Sequence, residues 1–272
     1  MKIAFLFLML LYFLPGFTQQ YDSVILEEEQ IDENNEIYKT GSVFIYDYEI
    51  VISGKKNKLK YNREFGKNAE FQLVSGDSVA VDVEKIHLIV QPVEDEERSN
   101  ENQTQISYLQ GPKFDAFAST GAVENGSNVW IHPIREGFFS CLETAPFPFV
   151  KKPLIVGAEW TDQMAIGAAW GNELWGQWTG SLLLTYHYKV AEKKTITTKL
   201  GTMEVFVVES TANSTMGTTS LVSYFSKQYG FVRLDYDLLN GLEVNMWVTE
   251  AMTGQTFNNI PTFFRTKKYI KE

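Results

Sequence analysis

The side chains able to do chemistry are few and far apart in this 272-residue chain. Its histidines are His87, His132 and His187, and no two stand at a chelating spacing such as His-x-His or His-x-x-x-His. His87 and His187 fall inside alternating strand patterns, and His132 precedes Pro133 at a strand end. They read as sheet or core residues, so no metal site is predicted. The lone cysteine, Cys141, stands beside Phe138, Phe139 and Leu142, which suits a buried thiol acting as a small hydrophobe rather than a nucleophile. No Gly-x-Ser-x-Gly elbow occurs, and Gly41-Ser42, Gly126-Ser127 and Gly180-Ser181 are turn or strand-entry pairs. No glycine-rich loop leads from a strand into a helix to cradle a phosphate. Carboxylates brought together by a β fold are the one open route to catalysis. Glu143, Glu159, Glu209, Asp235, Asp237 and Glu250 are candidates, and spacing singles out no pair for work on glycans. No catalytic residue and no cofactor is predicted.

The most unusual feature is aromatic. Trp160, Trp170, Trp175 and Trp178 fall within 19 residues, interleaved with Gly167, Gly171, Gly176 and Gly180. Each tryptophan offers a large surface, and each glycine lets the chain turn or approach closely. The segment is either a core plug where strands cross or a ligand platform for a sugar ring or an acyl chain. Large aromatics serve packing more often than binding.

Around these residues the chain alternates with period two. Phe44, Tyr46, Tyr48, Ile50 and Ile52 form one face of a first strand, Ser53–Asn57 a turn, and Leu59, Tyr61 and Arg63 the next strand. Short strands follow at Phe71–Val74, at Val79, Val81 and Val83, and at Ile86–Val90, with Ile106–Leu109 and Asn128–Ile131 further on. A charged loop is expected between them, from Glu94 to Gln105. Glu136–Glu143 suits a short helix, ended by Pro146 and Pro148. The last third is the clearest: Leu182, Leu184, Tyr186, Tyr188 and Val190 alternate, as do Met203, Val205 and Val207. Turns are expected at Gly201, at Tyr229-Gly230 and at the hairpin dipeptide Asn240-Gly241, followed by Leu242, Val244, Met246 and Val248. This predicts an all-β fold: a twisted, mostly antiparallel meander forming a half-barrel or open barrel, with at most one short helix near 136–145.

The second half carries Pro153-Leu154-x-Val156-Gly157-x-x-Trp160, then Tyr186-x-Tyr188-x-Val190, Thr198-x-x-Gly201-Thr202-x-x-Val205, and Tyr229-Gly230-x-Val232. In order and spacing these resemble a group of poorly characterised exported bacterial proteins, related to the pilus-assembly-associated TapB-like proteins. The resemblance covers about residues 150–250. It implies a twisted antiparallel sheet, an open half-barrel like those of lipoprotein carriers, and no particular activity.

The N-terminus supplies an address. Lys2 precedes an apolar run from Ile3 to Leu14, which Pro15-Gly16 breaks and Phe17-Thr18-Gln19-Gln20 turns polar. That is the order of a signal peptide, too short to span a bilayer, with the cut between Thr18 and Gln20. The expected organisation is a signal peptide at 1–19, an acidic flexible lead at 20–40, and a single β-rich domain at 41–266 with a lobe boundary near 136. No transmembrane segment is expected after signal removal. Formal net charge is −10, which repels nucleic acid and anionic lipid surfaces, so no nucleic-acid partner is expected. These features predict an exported protein, periplasmic or extracellular, acting as a non-enzymatic binding or carrier module for an apolar or glycan ligand. The alternative is a structural or assembly-assisting envelope protein that binds other proteins. A carboxylate-based glycan hydrolase ranks last.

Overall fold

The computed structural model describes residues 23–26, 31–62, 70–91, 93, 98, 100–112, 116–253, 255–256 and 270–271. The expected signal peptide at 1–19, the acidic run Glu27–Glu29 and residues 94–97 lie outside the described residues.

The alternating segments form one fourteen-stranded sheet. Its strands are β1 (Val43–Ile52), β2 (Lys55–Asn62), β3 (Glu70–Ser75), β4 (Val83–Val90), β5 (Thr104–Pro112), β6 (Ala116–Glu124), β7 (Asn128–Ile131), β8 (Phe149–Lys151), β9 (Glu159–Gly167), β10 (Ser181–Thr198), β11 (Gly201–Ser214), β12 (Gly217–Ser226), β13 (Gly230–Asp237) and β14 (Leu242–Met252). In space they run β8-β7-β6-β5-β4-β2-β1-β14-β13-β12-β11-β10-β9, with β3 beside β2. The path starts at β8 and ends at β9, which are consecutive in the chain. Among the described residues no ladder of hydrogen bonds joins these two edges, although Phe149 on β8 packs edge-on against Trp160 on β9, 5.4 Å between ring centres. The fold is all-β and antiparallel, an open barrel.

Among the described residues the inward faces pack the interior with apolar side chains. The expected short helix is a 3-10 segment, Gly137–Thr144, whose Phe138, Phe139, Cys141 and Leu142 are fully buried. Phe139 meets Tyr48 of β1 edge-on at 5.3 Å, and Phe138 meets Phe71 of β3 at 5.1 Å. An interior cavity walled in part by Tyr46, Tyr108 and Tyr236 holds about 10 Å³, room for about one water molecule.

One local expectation differs from the structure, and two strands lack a clear alternation in the sequence. The alternation Val79-x-Val81-x-Val83 makes a strand only from Val83 onward, and Val79 stands fully exposed. Asp82 explains the break, because its carboxylate accepts the Tyr61 N–H at 3.0 Å and its own N–H donates to Leu59 at 2.9 Å. β6 and β9 were not legible as strands. In β6 small residues such as Ala118, Ser119 and Gly121 give little apolar contrast. In β9 the inward row Trp160, Asp162, Met164, Ile166 contains a carboxylate.

The lead segment also differs from a solvated tail over its described part. Asn35, Ile37 and Tyr38 are buried. The buried Glu124 carboxylate at the end of β6 accepts the N–H groups of Ile37 (3.0 Å) and Tyr38 (2.8 Å). Charge-assisted bonds of this kind hold two otherwise orphaned donors. Glu124→Gln removes the charge that assists both bonds and puts an amide donor where Oε1 now lies 3.1 Å from the Ile37 N–H, so it is expected to lower stability by about 1–3 kcal/mol. Denaturant midpoints of the two proteins check this.

Candidate functional site

β1 changes its partner partway along. Val43–Tyr46 pair with Ile86–Ile89 of β4, whereas Ile50–Ile52 pair with Lys55–Asn57 of β2. Asp47, Tyr48 and Glu49 lie between the two ladders, at a fork where β2 and β4 part from β1 and pair with each other at Leu59 and Val83. Side chains supply what the missing strand would. The Tyr48 N–H donates to Asp47 Oδ1 at 2.9 Å. The Tyr48 hydroxyl closes the fork by donating to the Val83 carbonyl (2.7 Å) and accepting the Leu59 N–H (3.0 Å).

Two lysines converge on the same carboxylate. Lys58 Nζ lies 2.6 Å from Asp47 Oδ1, and Lys85 Nζ lies 2.5 Å from Oδ2. Burial alone would raise the Asp47 carboxyl, but the hydrogen bonds and charges of Lys58 and Lys85 outweigh it and hold it below the usual carboxylate range. Burial lowers the Lys58 ammonium, with Asp47 opposing. Lys58 Nζ also sits 4.0 Å from the centre of the Tyr48 ring, a cation over an aromatic face.

An open groove of about 640 Å³ lies over this fork. The β1–β2 hairpin supplies Asp47, Glu49, Lys56 and Asn57, and the turn after β3 supplies Gly76 and Asp77. Trp247 of β14 forms part of the wall, in register with Asp47. It is half-buried, because the alternation of β14 sends Val244, Met246 and Val248 inward and Trp247 outward. Lys56 and Glu49 pair across the hairpin at 2.8 Å. The groove thus combines one aromatic face with several hydrogen-bonding and charged groups.

The tryptophans expected as a platform lie elsewhere. Trp175 is 1% exposed, donates Nε1–H to the Trp170 carbonyl at 2.8 Å, and stacks on Phe71 with ring centres 6.3 Å apart. Trp160 stacks on Tyr188 at the seam between β8 and β9, 5.2 Å apart and nearly parallel. Trp170 and Trp178 are half-buried against the core. The fold brings Trp170 and Trp175 together, sets Trp160 apart, and places none of the four in the groove at the fork.

Nor does that groove contain any of the six candidate carboxylates. Glu143 is buried. Glu159 pairs with Lys189 at 3.0 Å, and Asp235 accepts two bonds from Arg233 Nε, at 2.9 and 2.8 Å. Glu209 borders a second, smaller groove of about 330 Å³ with His187 and Lys189. Asp237 faces Glu243 across the β13–β14 ladder, and Glu250 faces Ile45 across β1–β14. The three histidines fall on β4, just after β7 and on β10, and among the described residues no three His, Cys, Asp or Glu side chains are grouped to hold a metal. The sequence analysis singled out neither Trp247 nor Asp47. The available signal was a tryptophan on the outward face of an otherwise amphipathic strand.

No family model matches the chain, and no curated protein matches it. Three crystal structures are similar in part. One is a candidate lipoprotein from Parabacteroides distasonis, 11% identical, covering 79% of this chain and 97% of that one with a TM-score of 0.41. Another is a candidate exported protein with a YmcC-like fold from Bacteroides fragilis, 10% identical, with the same coverage and a TM-score of 0.42. The third is the hypothetical lipoprotein YmcC from Escherichia coli, 10% identical, covering 76% and 84% with a TM-score of 0.33. All three are described as exported proteins or lipoproteins, and TM-scores below 0.5 do not establish a shared fold. None of the three is described as TapB-like. Among the described residues no helix is long and apolar enough to cross a membrane.

Proposed function

We propose that the protein is an exported, non-enzymatic binding module that holds a glycan in the groove at the β1 fork, with Trp247 as the stacking surface. The observation that carries this reading is the half-buried Trp247 in a ligand-sized groove that also presents Asp47, Glu49, Lys56, Asn57 and Asp77. Sugar rings present apolar C–H faces and hydroxyl edges, so they are recognised by an aromatic face beside hydrogen-bonding groups. An apolar ligand would need interior volume, and the cavity near Tyr46, Tyr108 and Tyr236 has room for about one water. Hydrolysis would need a carboxyl whose proton is retained near neutral pH. Asp47 is shifted the opposite way by its two lysines. Export rests on Lys2, the apolar run Ile3–Leu14 and its break at Pro15-Gly16.

Strand pairing with a partner protein at the outer edge of β9 is supported less well. The Gln163 N–H on that strand is occupied by Asp162 Oδ1 at 2.9 Å, which blunts the edge.

A glycan array probed with the wild-type protein and Trp247→Ala tests the reading. Wild type is expected to bind saturably to a subset of glycans. Losing the stacking face is expected to weaken that binding by about tenfold or more, roughly 1.4 kcal/mol, with an unchanged unfolding midpoint. Absence of glycan binding, or equal binding by both proteins, would contradict it.

A further inference from the structure

Two buried polar side chains face each other inside the fold, away from the groove. His132 follows β7, and Glu143 lies in the 3-10 segment Gly137–Thr144; both are almost wholly buried. His132 Nε2 and Glu143 Oε1 are 3.4 Å apart, and neither has a hydrogen-bond partner among the described residues. The other ring nitrogen, Nδ1, lies 2.8 Å from the Pro133 carbonyl. That contact places the ring proton on Nδ1 and makes Nε2 an acceptor. An ionised Glu143 would then set two acceptors against each other in a desolvated site, whereas a protonated carboxyl donates and satisfies both.

We propose that Glu143 and His132 hold one proton between them, carried by the Glu143 carboxyl and directed at His132 Nε2, and that the pair insulates the stability of the fold from mildly acidic pH. The surroundings agree. Burial raises the Glu143 carboxyl from 4.5 to about 7, with Arg135 opposing. Burial lowers His132 from 6.5 to about 3, with the Pro133 carbonyl opposing and Arg135 adding to the fall. Arg135 is the charged group acting on both. The packed elements around them contribute Tyr108 from β5, whose hydroxyl donates to the His132 carbonyl at 2.8 Å, Tyr236 from β13, and Cys141 from the same 3-10 segment. Burial keeps all three un-ionised.

Linkage gives the consequence. Midway between the ordinary values of 4.5 and 6.5, at pH ~5.5, the unfolded chain carries about one proton on this pair, on His132, with Glu143 ionised. The folded protein also carries one, on Glu143. Folding neither takes up nor releases a proton there, so the pair adds no slope to stability against pH. The two members alone would act in opposite directions. A depressed histidine costs stability as pH falls below its unfolded value. A raised carboxyl costs stability as pH rises from its unfolded value towards its folded one.

The test is denaturant stability of wild type, Glu143→Gln and His132→Gln between pH 4.5 and 7, each variant read as a difference from wild type so that other groups cancel. Glu143→Gln is expected to lose roughly 40-fold in folding equilibrium constant as pH falls from 6.5 to 4.5. His132→Gln is expected to lose roughly 80-fold as pH rises from 4.5 to 7. Differences that slope the same way, or that are both level, overturn the proposal. Should either variant fail to fold, carbon-13 NMR of the wild type decides: a Glu143 carboxyl still protonated at pH 6 supports the proposal, and an ionised one overturns it.

Discussion

Replacing Trp175 by alanine is expected to lower stability by about 3–5 kcal/mol while leaving the proposed glycan binding at the fork unchanged. The indole is 1% exposed, and its Nε1–H is committed to the Trp170 carbonyl at 2.8 Å. It joins two parts of the core, stacked on Phe71 of β3 and edge-on to Phe138 of the 3-10 segment at 6.0 Å. Truncation removes a large apolar surface and leaves a cavity that rigid strands cannot collapse to fill. It also frees the chain that carries Trp170 from its one described tie to this ring. Urea unfolding of Trp175→Ala beside Trp247→Ala separates the two roles, because the first should lose stability and keep binding, and the second the reverse. A Trp175→Ala protein of wild-type stability would show that the ring is not part of the core.

A comparable loss is expected for Gly230→Ala, for a different reason. Gly230 has a φ of +69°, and an added Cβ would lie 2.5 Å from the Tyr38 hydroxyl oxygen and 3.0 Å from Ile37 Cγ2. The left-handed backbone costs a non-glycine residue about 1–2 kcal/mol, and overpacking a filled site typically adds about 1–3. The Tyr38 ring cannot easily move aside. Its residue is wholly buried, its hydroxyl accepts the Phe231 N–H at 3.3 Å, and its backbone N–H is held by Glu124. A double-mutant cycle with Tyr38→Phe, which removes the nearest atom, is expected to show Gly230→Ala costing less in the Phe background. Equal costs in both backgrounds would mean that strain at φ, and not the clash, dominates.

Much of this architecture could be read from period-two alternation. The inward rows of β10 and β14 and the left-handed Asn240-Gly241 turn (φ 62° and 68°) are found where the residues place them. Strands with weak contrast could not be read. β6 is built from small residues, and β9 carries Asp162 inward, where the carboxylate caps the Gln163 N–H and accepts the Ser23 hydroxyl at 3.0 Å. The candidate site was less legible than the fold. Tryptophan density pointed to 160–178, where stacking and burial dominate, while the groove depends on β1 switching from β4 to β2. A change of strand partner is a long-range fact that no local spacing records. Glu143 was visible as a carboxylate, but its meeting with His132 required the 3-10 segment to fold back beneath the sheet.

The most direct test of the glycan groove uses the six tryptophan indoles as reporters in one experiment. Nitrogen-15 NMR spectra of the protein would be recorded during titration with chito-, cello- and malto-oligosaccharides, with Trp247→Ala used to assign its indole signal. A saturable shift of the Trp247 indole, with the signals of Trp160, Trp170, Trp175 and Trp178 unmoved, is the predicted result. Shifts confined to those four, or no saturable shift with any oligosaccharide, would contradict the assignment of the fork groove as the binding site.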